Sequence, residues 1–160
     1  MKSRGTQGFS VIEIVIAAAI VLAIAAGAAA AWQLYLRISN SSGRTVQAAL
    51  LLDEGAEAVQ LLRDSGWTAN IAPLSLNTPY YLYWNGSAYA TSTSPVVIQG
   101  SYVRTITLAA VSRDASTYNI VSSGGTNDPN TRDVVVSVSL ASSSSPVATS
   151  ETLIHNVFGN

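Results

Sequence analysis

Glu13 stands out chemically because it is the only charged side chain in a stretch that is otherwise almost wholly apolar. Residues 9–31 read FSVIEIVIAAAIVLAIAAGAAAA, and only Ser10 and Glu13 break the apolar character. A carboxylate deep in a membrane costs roughly 2.5–3.5 kcal/mol on insertion scales, and intramembrane acids are functional candidates by default. Glu13 lies near the end of the stretch, where that cost is smaller, so a merely tolerated acid is the competing reading.

Elsewhere, reactive groups are sparse. His155 sits in a strand-like Thr-Leu-Ile-His-Asn-Val with no acid and nucleophile assignable by spacing, so a structural placement is expected. The many serines fall in no G-x-S-x-G elbow, and no GxxxxGK phosphate loop is present. Asn127, Asp128, Asn130 and Asp133 put four oxygen-bearing side chains within seven residues, a set that could suit a hard cation such as Ca²⁺. They lack EF-hand spacing and its bidentate Glu. Tyr80, Tyr81, Tyr83, Trp84 and Tyr89 could stack on bases or sugars, but basic residues nearby are few and sheet packing is the expected use.

Composition narrows the function classes further. The chain of 160 residues is 48% apolar and 11% charged, with a net charge of −1. Globular chains carry roughly 25% charged residues, so neither a highly charged disordered chain nor a basic nucleic-acid binder fits. No Cys means no disulfide frame and no thiolate metal site, and one His excludes a multi-His site within the chain. No catalytic set and no cofactor motif emerges, so an enzyme is not expected.

The element that must position Glu13 is a helix. Residues 14–31 are unbroken apolar sequence. A helix over residues 9–31 would be about 34 Å long, enough to cross a hydrocarbon core of roughly 30 Å. Apolar residues on every side exclude a soluble amphipathic helix. Trp32 and Tyr35 follow, rings suited to a membrane–water boundary. Lys2 and Arg4 precede the run and fit a cytoplasmic N-terminus, although Arg37 and Arg44 lie close on the other side. Three readings compete: a cleaved signal peptide with Ala29, Ala30 and Ala31 before Trp32, a plain anchor, and a segment in which Glu13 has a task.

Gly8-Phe9-Ser10-Val11-Ile12-Glu13, after a short basic leader, resembles the prepilin processing motif of type IV pilins and of the pilin-like subunits of type II secretion systems. Gly ends the leader, Phe opens the mature chain, Glu is its fifth residue, and about 20 apolar residues follow, as in a membrane helix. The resemblance covers residues 2 to about 35 closely and the remainder only in architecture. It implies cleavage between Gly8 and Phe9 by a membrane prepilin peptidase, N-methylation of Phe9, and retention of the apolar helix. It further implies a charge pair between Glu13 and the Phe9 ammonium of a neighbouring subunit. Two buried charges recover much of their desolvation cost only when well placed, so such a pair would act mainly as a register device. One departure is the absence of a kinking Pro in the apolar stretch, where Gly27 is the only expected flexure point.

The helix is expected to continue. Residues 38–43, ISNSSG, are poor helix formers and predict a local melt or kink. Residues 44–64 are helical again, with an apolar stripe of Ala49, Leu52, Ala56, Val59 and Leu62 and a solvated stripe of Asp53, Glu57, Gln60 and Asp64. Ser65-Gly66 ends the helix. From Trp67 the period changes to two. Residues 80–84 and 87–91 around Asn85-Gly86 predict a hairpin with a two-residue turn. Further strands are expected at 96–99, 102–111, 118–121, 133–140 and 147–157, with Val134, Val136, Val138 and Leu140 facing the core. Residues 124–130 read as a loop and 142–145 as a turn or short link.

The expected organisation is an α+β chain: a leader at 1–8, a transmembrane and assembly helix at 9–35, an amphipathic continuation at 36–66, and a β-rich extracytoplasmic domain at 67–160. The long N-terminal helix should pack on a mostly antiparallel sheet of five to seven strands. The resemblance implies a structural subunit, of minor pilin or pseudopilin kind, stored in the inner membrane and assembled into a filament. Its implied partners are sister subunits, the prepilin peptidase, an inner-membrane assembly platform and lipid. Without the leader the chain has six basic and nine acidic side chains, which disfavours direct nucleic-acid binding. The alternative is a secreted or singly anchored β-rich binding domain using the Tyr/Trp cluster.

Overall fold

The computed structural model describes residues 10–159. Gly8 and Phe9, the expected processing junction, lie outside the described residues. Contacts divide the chain into two compact units, one reaching to Gly43 and one running from Arg44 onward.

Helix α1 spans Val11–Asp64. In the first unit it holds a stretch long and apolar enough to cross a membrane, and none of that stretch is buried by protein. Val11, Ile12, Val15, Leu22 and Ile24 are all exposed. Apolar surface left in water is unfavourable by about 25 cal/mol per Å², so burial of this segment would be favourable. Trp32 and Tyr35 stack one turn apart with ring centroids 5.8 Å from each other.

Residues 38–43 are helical, contrary to the melt or kink expected from their composition. Each Ser or Asn costs up to about 0.7 kcal/mol against Ala, and Gly about 1 kcal/mol. Breaking the helix would instead leave a new set of unpaired N–H and C=O groups and require a second nucleation. The cooperative ladder wins over local propensity.

In the second unit, residues 44–64 of α1 pack on an antiparallel sheet. A single helical turn, α2 (Trp67–Asn70), follows Gly66, whose φ of 143° turns the chain out of α1. The strands are β1 (Pro79–Trp84), β2 (Tyr89–Ser92), β3 (Val97–Ile98), β4 (Tyr102–Arg113), β5 (Ile120–Val121), β6 (Thr126–Leu140) and β7 (Pro146–His155). Their order is β2-β1-β4-β6-β7, with β3 and β5 also paired to β4. Strand β4 is therefore the centre: β6 runs along one edge, while β3, β1 and β5 take successive parts of the other. The α+β architecture and seven antiparallel strands agree with the sequence reading.

Alternation decides which face is buried. Tyr102, Arg104, Ile106 and Leu108 of β4 and Val134, Val136 and Val138 of β6 are buried, while the residues between them are half-exposed. Facing them, α1 buries Ala48, Leu51, Gly55, Ala58, Val59 and Leu62. The expected helix stripe is thus rotated: Val59 and Leu62 are in the core, Leu52 and Ala56 are half-buried, and Ala49 is exposed. The reason is Gly55. A Cβ there would lie 2.7 Å from Arg104 Cδ and 2.8 Å from Val136 Cγ1, so the helix meets the sheet on a line that an apolar count does not register. Asp53, Glu57, Gln60 and Asp64 are exposed, as expected.

Three further boundaries differ from expectation. The β1–β2 turn spans residues 85–88 rather than two residues, because Trp84 pairs with Tyr89 and Asn85 Oδ1 accepts bonds from the Ser87 and Ala88 N–H groups. Residues 126–130, expected to be loop, extend β6 past a bulge at Ala110/Val111. Gly125 makes this possible: a Cβ there would sit 2.7 Å from the Arg113 carbonyl oxygen. Tyr118, expected in a strand, has φ of 59° and lies outside β5.

Candidate functional site

Glu13 stands in the first turn of α1, where an acid is favoured by the helix dipole. The Glu13 and Ile14 N–H groups both donate to the Ser10 carbonyl, at 3.0 and 3.2 Å. Glu13, Ile14, Ala17, Ala18, Val21 and Leu22 line one shallow groove whose surface is otherwise apolar. Between Val11 and Leu36 no other Asp, Glu, Lys or Arg occurs. The arrangement offers one acceptor at the head of an apolar rod. Chemically, it can neutralise a cation brought alongside and little else.

A second polar cluster lies between α1 and the sheet. Arg104 is 1% exposed. Its Nη1 donates to the Leu51 carbonyl at 3.0 Å, and its guanidinium lies 3.2 Å from Glu54 Oε1. Tyr89 donates to the same Glu54 oxygen at 2.9 Å, and its ring lies 5.7 Å from the guanidinium carbon. Burial pushes the Tyr89 phenol above its ordinary value, and the Glu54 carboxylate adds to that rise. Sequence reading overlooked both Arg104 and Glu54. The available signal was a lone Arg at an inward position of an otherwise alternating strand.

The third cluster ties the ends of β4, β6 and β7. Arg113 Nε donates to Asp128 Oδ2 at 2.7 Å and Nη2 to Thr131 Oγ1 at 3.2 Å. Thr131 lies 2.6 Å from Asp128 Oδ2 and 3.0 Å from His155 Nδ1. A hydroxyl has one proton. The short contact gives it to Asp128, so His155 Nδ1–H donates to Thr131. Asp, Thr and His therefore meet in the wrong order for nucleophilic catalysis, in which His must accept the hydroxyl proton. Thr131 is also buried. The Arg113 bond, followed by that from Thr131, holds the Asp128 carboxyl down at about 2.

Two of the four oxygen-bearing side chains, Asp128 and Asn130, are already engaged by protein partners. Asp128 is occupied by Arg113 and Thr131, and Asn130 Oδ1 accepts from Asn156 Nδ2 at 3.3 Å. Asp133 is remote from them in register, paired with Ala109 and Leu153. Among the described residues no three Asp, Glu or His side chains gather as a metal site would require. The aromatic group is likewise split by strand alternation. Tyr80 and Tyr89 pack on the core, Trp84 meets Tyr89 edge-on at 5.2 Å, and Tyr81 and Tyr83 fall on the opposite face.

No protein-family model matches the chain, and comparisons with curated proteins and with solved structures find no match.

Proposed function

We propose that the chain is a pilin-like structural subunit, of minor pilin or pseudopilin kind, assembled through α1 into a type IV pilus or type II secretion pseudopilus. What supports this reading is one continuous helix with two different halves. The first is apolar all round, unburied, and carries a single acid in its first turn. The second packs a narrow stripe on an antiparallel sheet. The prepilin-like motif around Gly8, Phe9 and Glu13 adds to it.

The mechanism is mechanical. The apolar half rests in lipid, then leaves it to bundle with sister helices while the β domains form the outer layer. Apolar packing supplies attraction without direction. Glu13 supplies register, because only one axial offset brings it to the ammonium of a neighbour's Phe9, and a misplaced pair leaves two desolvated charges. Cleavage, methylation and the work of assembly belong to partner proteins.

N-terminal sequencing and mass spectrometry of the chain from its native host test the reading. A mature chain beginning at Phe9 with an added methyl is expected. A start at Trp32 would overturn it in favour of a conventionally secreted β-rich binding domain, and an intact Met1 would reduce it to a plain anchor.

A further inference from the structure

The sheet face turned away from the core holds a cleft of about 510 Å³. Tyr81 of β1, Val103 and Thr105 of β4 and Ser139 of β6 line it, with Ser142 and Ser144 of the β6–β7 turn at its lip. Register builds this floor: Tyr81 stands opposite Thr105, and Val103 opposite Ser139. None of the lining residues is Asp, Glu, Lys, Arg or His.

The hydroxyl groups here differ from those on the core side. The hydroxyls of Tyr80, Tyr89 and Tyr102 are each bonded, to the Ser75 N–H, Glu54 and the Arg44 carbonyl. Those of Tyr81, Thr105, Ser139, Ser142 and Ser144 have no protein partner among the described residues. An aromatic ring and five hydroxyl-bearing side chains whose hydroxyls have no protein partner among the described residues thus line one uncharged cleft.

We propose that this cleft binds a neutral saccharide, its ring face against Tyr81 and its hydroxyl edge against Thr105, Ser139 and Ser142. A charged ligand would lose water and gain no countercharge. A purely apolar ligand would bury the hydroxyls without hydrogen-bond partners, which is unfavourable. A sugar ring answers both demands, with C–H groups for the aromatic face and hydroxyls that donate and accept. The volume falls within the roughly 300–1,000 Å³ of small-molecule sites. The cleft is formed within one chain, so its ligand does not depend on filament assembly, and under the proposed function it would give an assembled subunit an adhesive surface.

The test is calorimetric titration of the full chain in a zwitterionic detergent without a sugar headgroup. The probes are cellotetraose, maltotetraose, mannotetraose and chitotetraose, with sialyllactose as the charged comparison. Binding of at least one neutral tetrasaccharide at about 1 mM or tighter is expected. Tyr81→Ala should weaken it about tenfold or more, and Tyr81→Phe should retain it. Ser142→Arg fills the lip from an exposed turn, leaves the core untouched and should also weaken binding. The proposal is overturned if no neutral probe binds, if sialyllactose binds as well, or if Tyr81→Ala and Ser142→Arg bind like the wild type. It is equally overturned if those variants abolish only self-association of the chain.

Discussion

Arg104 and Glu54 meet at 3.2 Å between the central strand and the helix, the guanidinium almost fully buried and the carboxylate partly open to water. The pair joins elements 50 residues apart in sequence, and Tyr89 closes it from the neighbouring hairpin. Because the charge is on the buried side, the pair is asymmetric. Losing the acid strands a desolvated cation, whereas losing the cation returns the acid to solvent.

Glu54→Ala is therefore expected to destabilise the β-rich unit by about 1.5–3 kcal/mol, the usual range for a hydrogen bond to a charged group. The double change Arg104→Met with Glu54→Leu should recover most of that loss, since apolar replacement of a buried pair is often neutral or better. Denaturant unfolding of the full chain in detergent, followed by the emission of buried Trp67, measures both. A Glu54→Ala chain as stable as the wild type would show that the pair contributes nothing.

Gly55→Ala sets helix propensity against packing. Propensity alone favours Ala by about 1 kcal/mol. The added Cβ would stand 2.7 Å from Arg104 Cδ and 2.8 Å from Val136 Cγ1, both on buried side chains. Overpacking of this kind costs about 1–3 kcal/mol, so a net loss is expected in the same unfolding measurement. Gly43→Ala has open space around its Cβ and should instead stabilise the helix.

Acid should act on Asp128. Its carboxyl titrates at about 2 in the folded chain, against about 4 when unfolded. A depressed folded value means that the unfolded chain takes up the proton first. The contribution is complete above about pH 4 and is lost as pH falls towards 2. Asp128→Asn should flatten the stability curve in that window and leave its slope above pH 5 unchanged. A variant retaining the wild-type slope below pH 4 would refute the assignment.

Under the proposed function, Glu13 separates membrane insertion from assembly. Glu13→Ala removes an acid from an apolar segment, so insertion should be as good as or better than wild type, by at most about 2.5–3.5 kcal/mol. Filament yield in the native host should fall about tenfold or more, the equivalent of roughly 1.4 kcal/mol of lost pairing. Normal filaments from Glu13→Ala would remove the register role.

Periodicity alone settled much of the chain. An apolar run with one acid, then period 3.6, then period two, dictate a membrane-compatible helix, its amphipathic continuation and an antiparallel sheet, because each pattern has one backbone geometry that buries it. Val134, Val136 and Val138 were legible as core for that reason. Only the tertiary structure decided the rest. The helix persists through residues 38–43 because cooperative hydrogen bonding outweighs local propensity. The helix stripe is rotated because Gly55 yields to a side chain from β4, 49 residues further on. Strand β6 absorbs residues 126–130, with their Asn and Asp side chains, because β4 offers them a partner, and Asp128, so placed, answers to Arg113. Patterns report which face a residue turns inward. What it meets there depends on distant chain, and no local spacing carries that information.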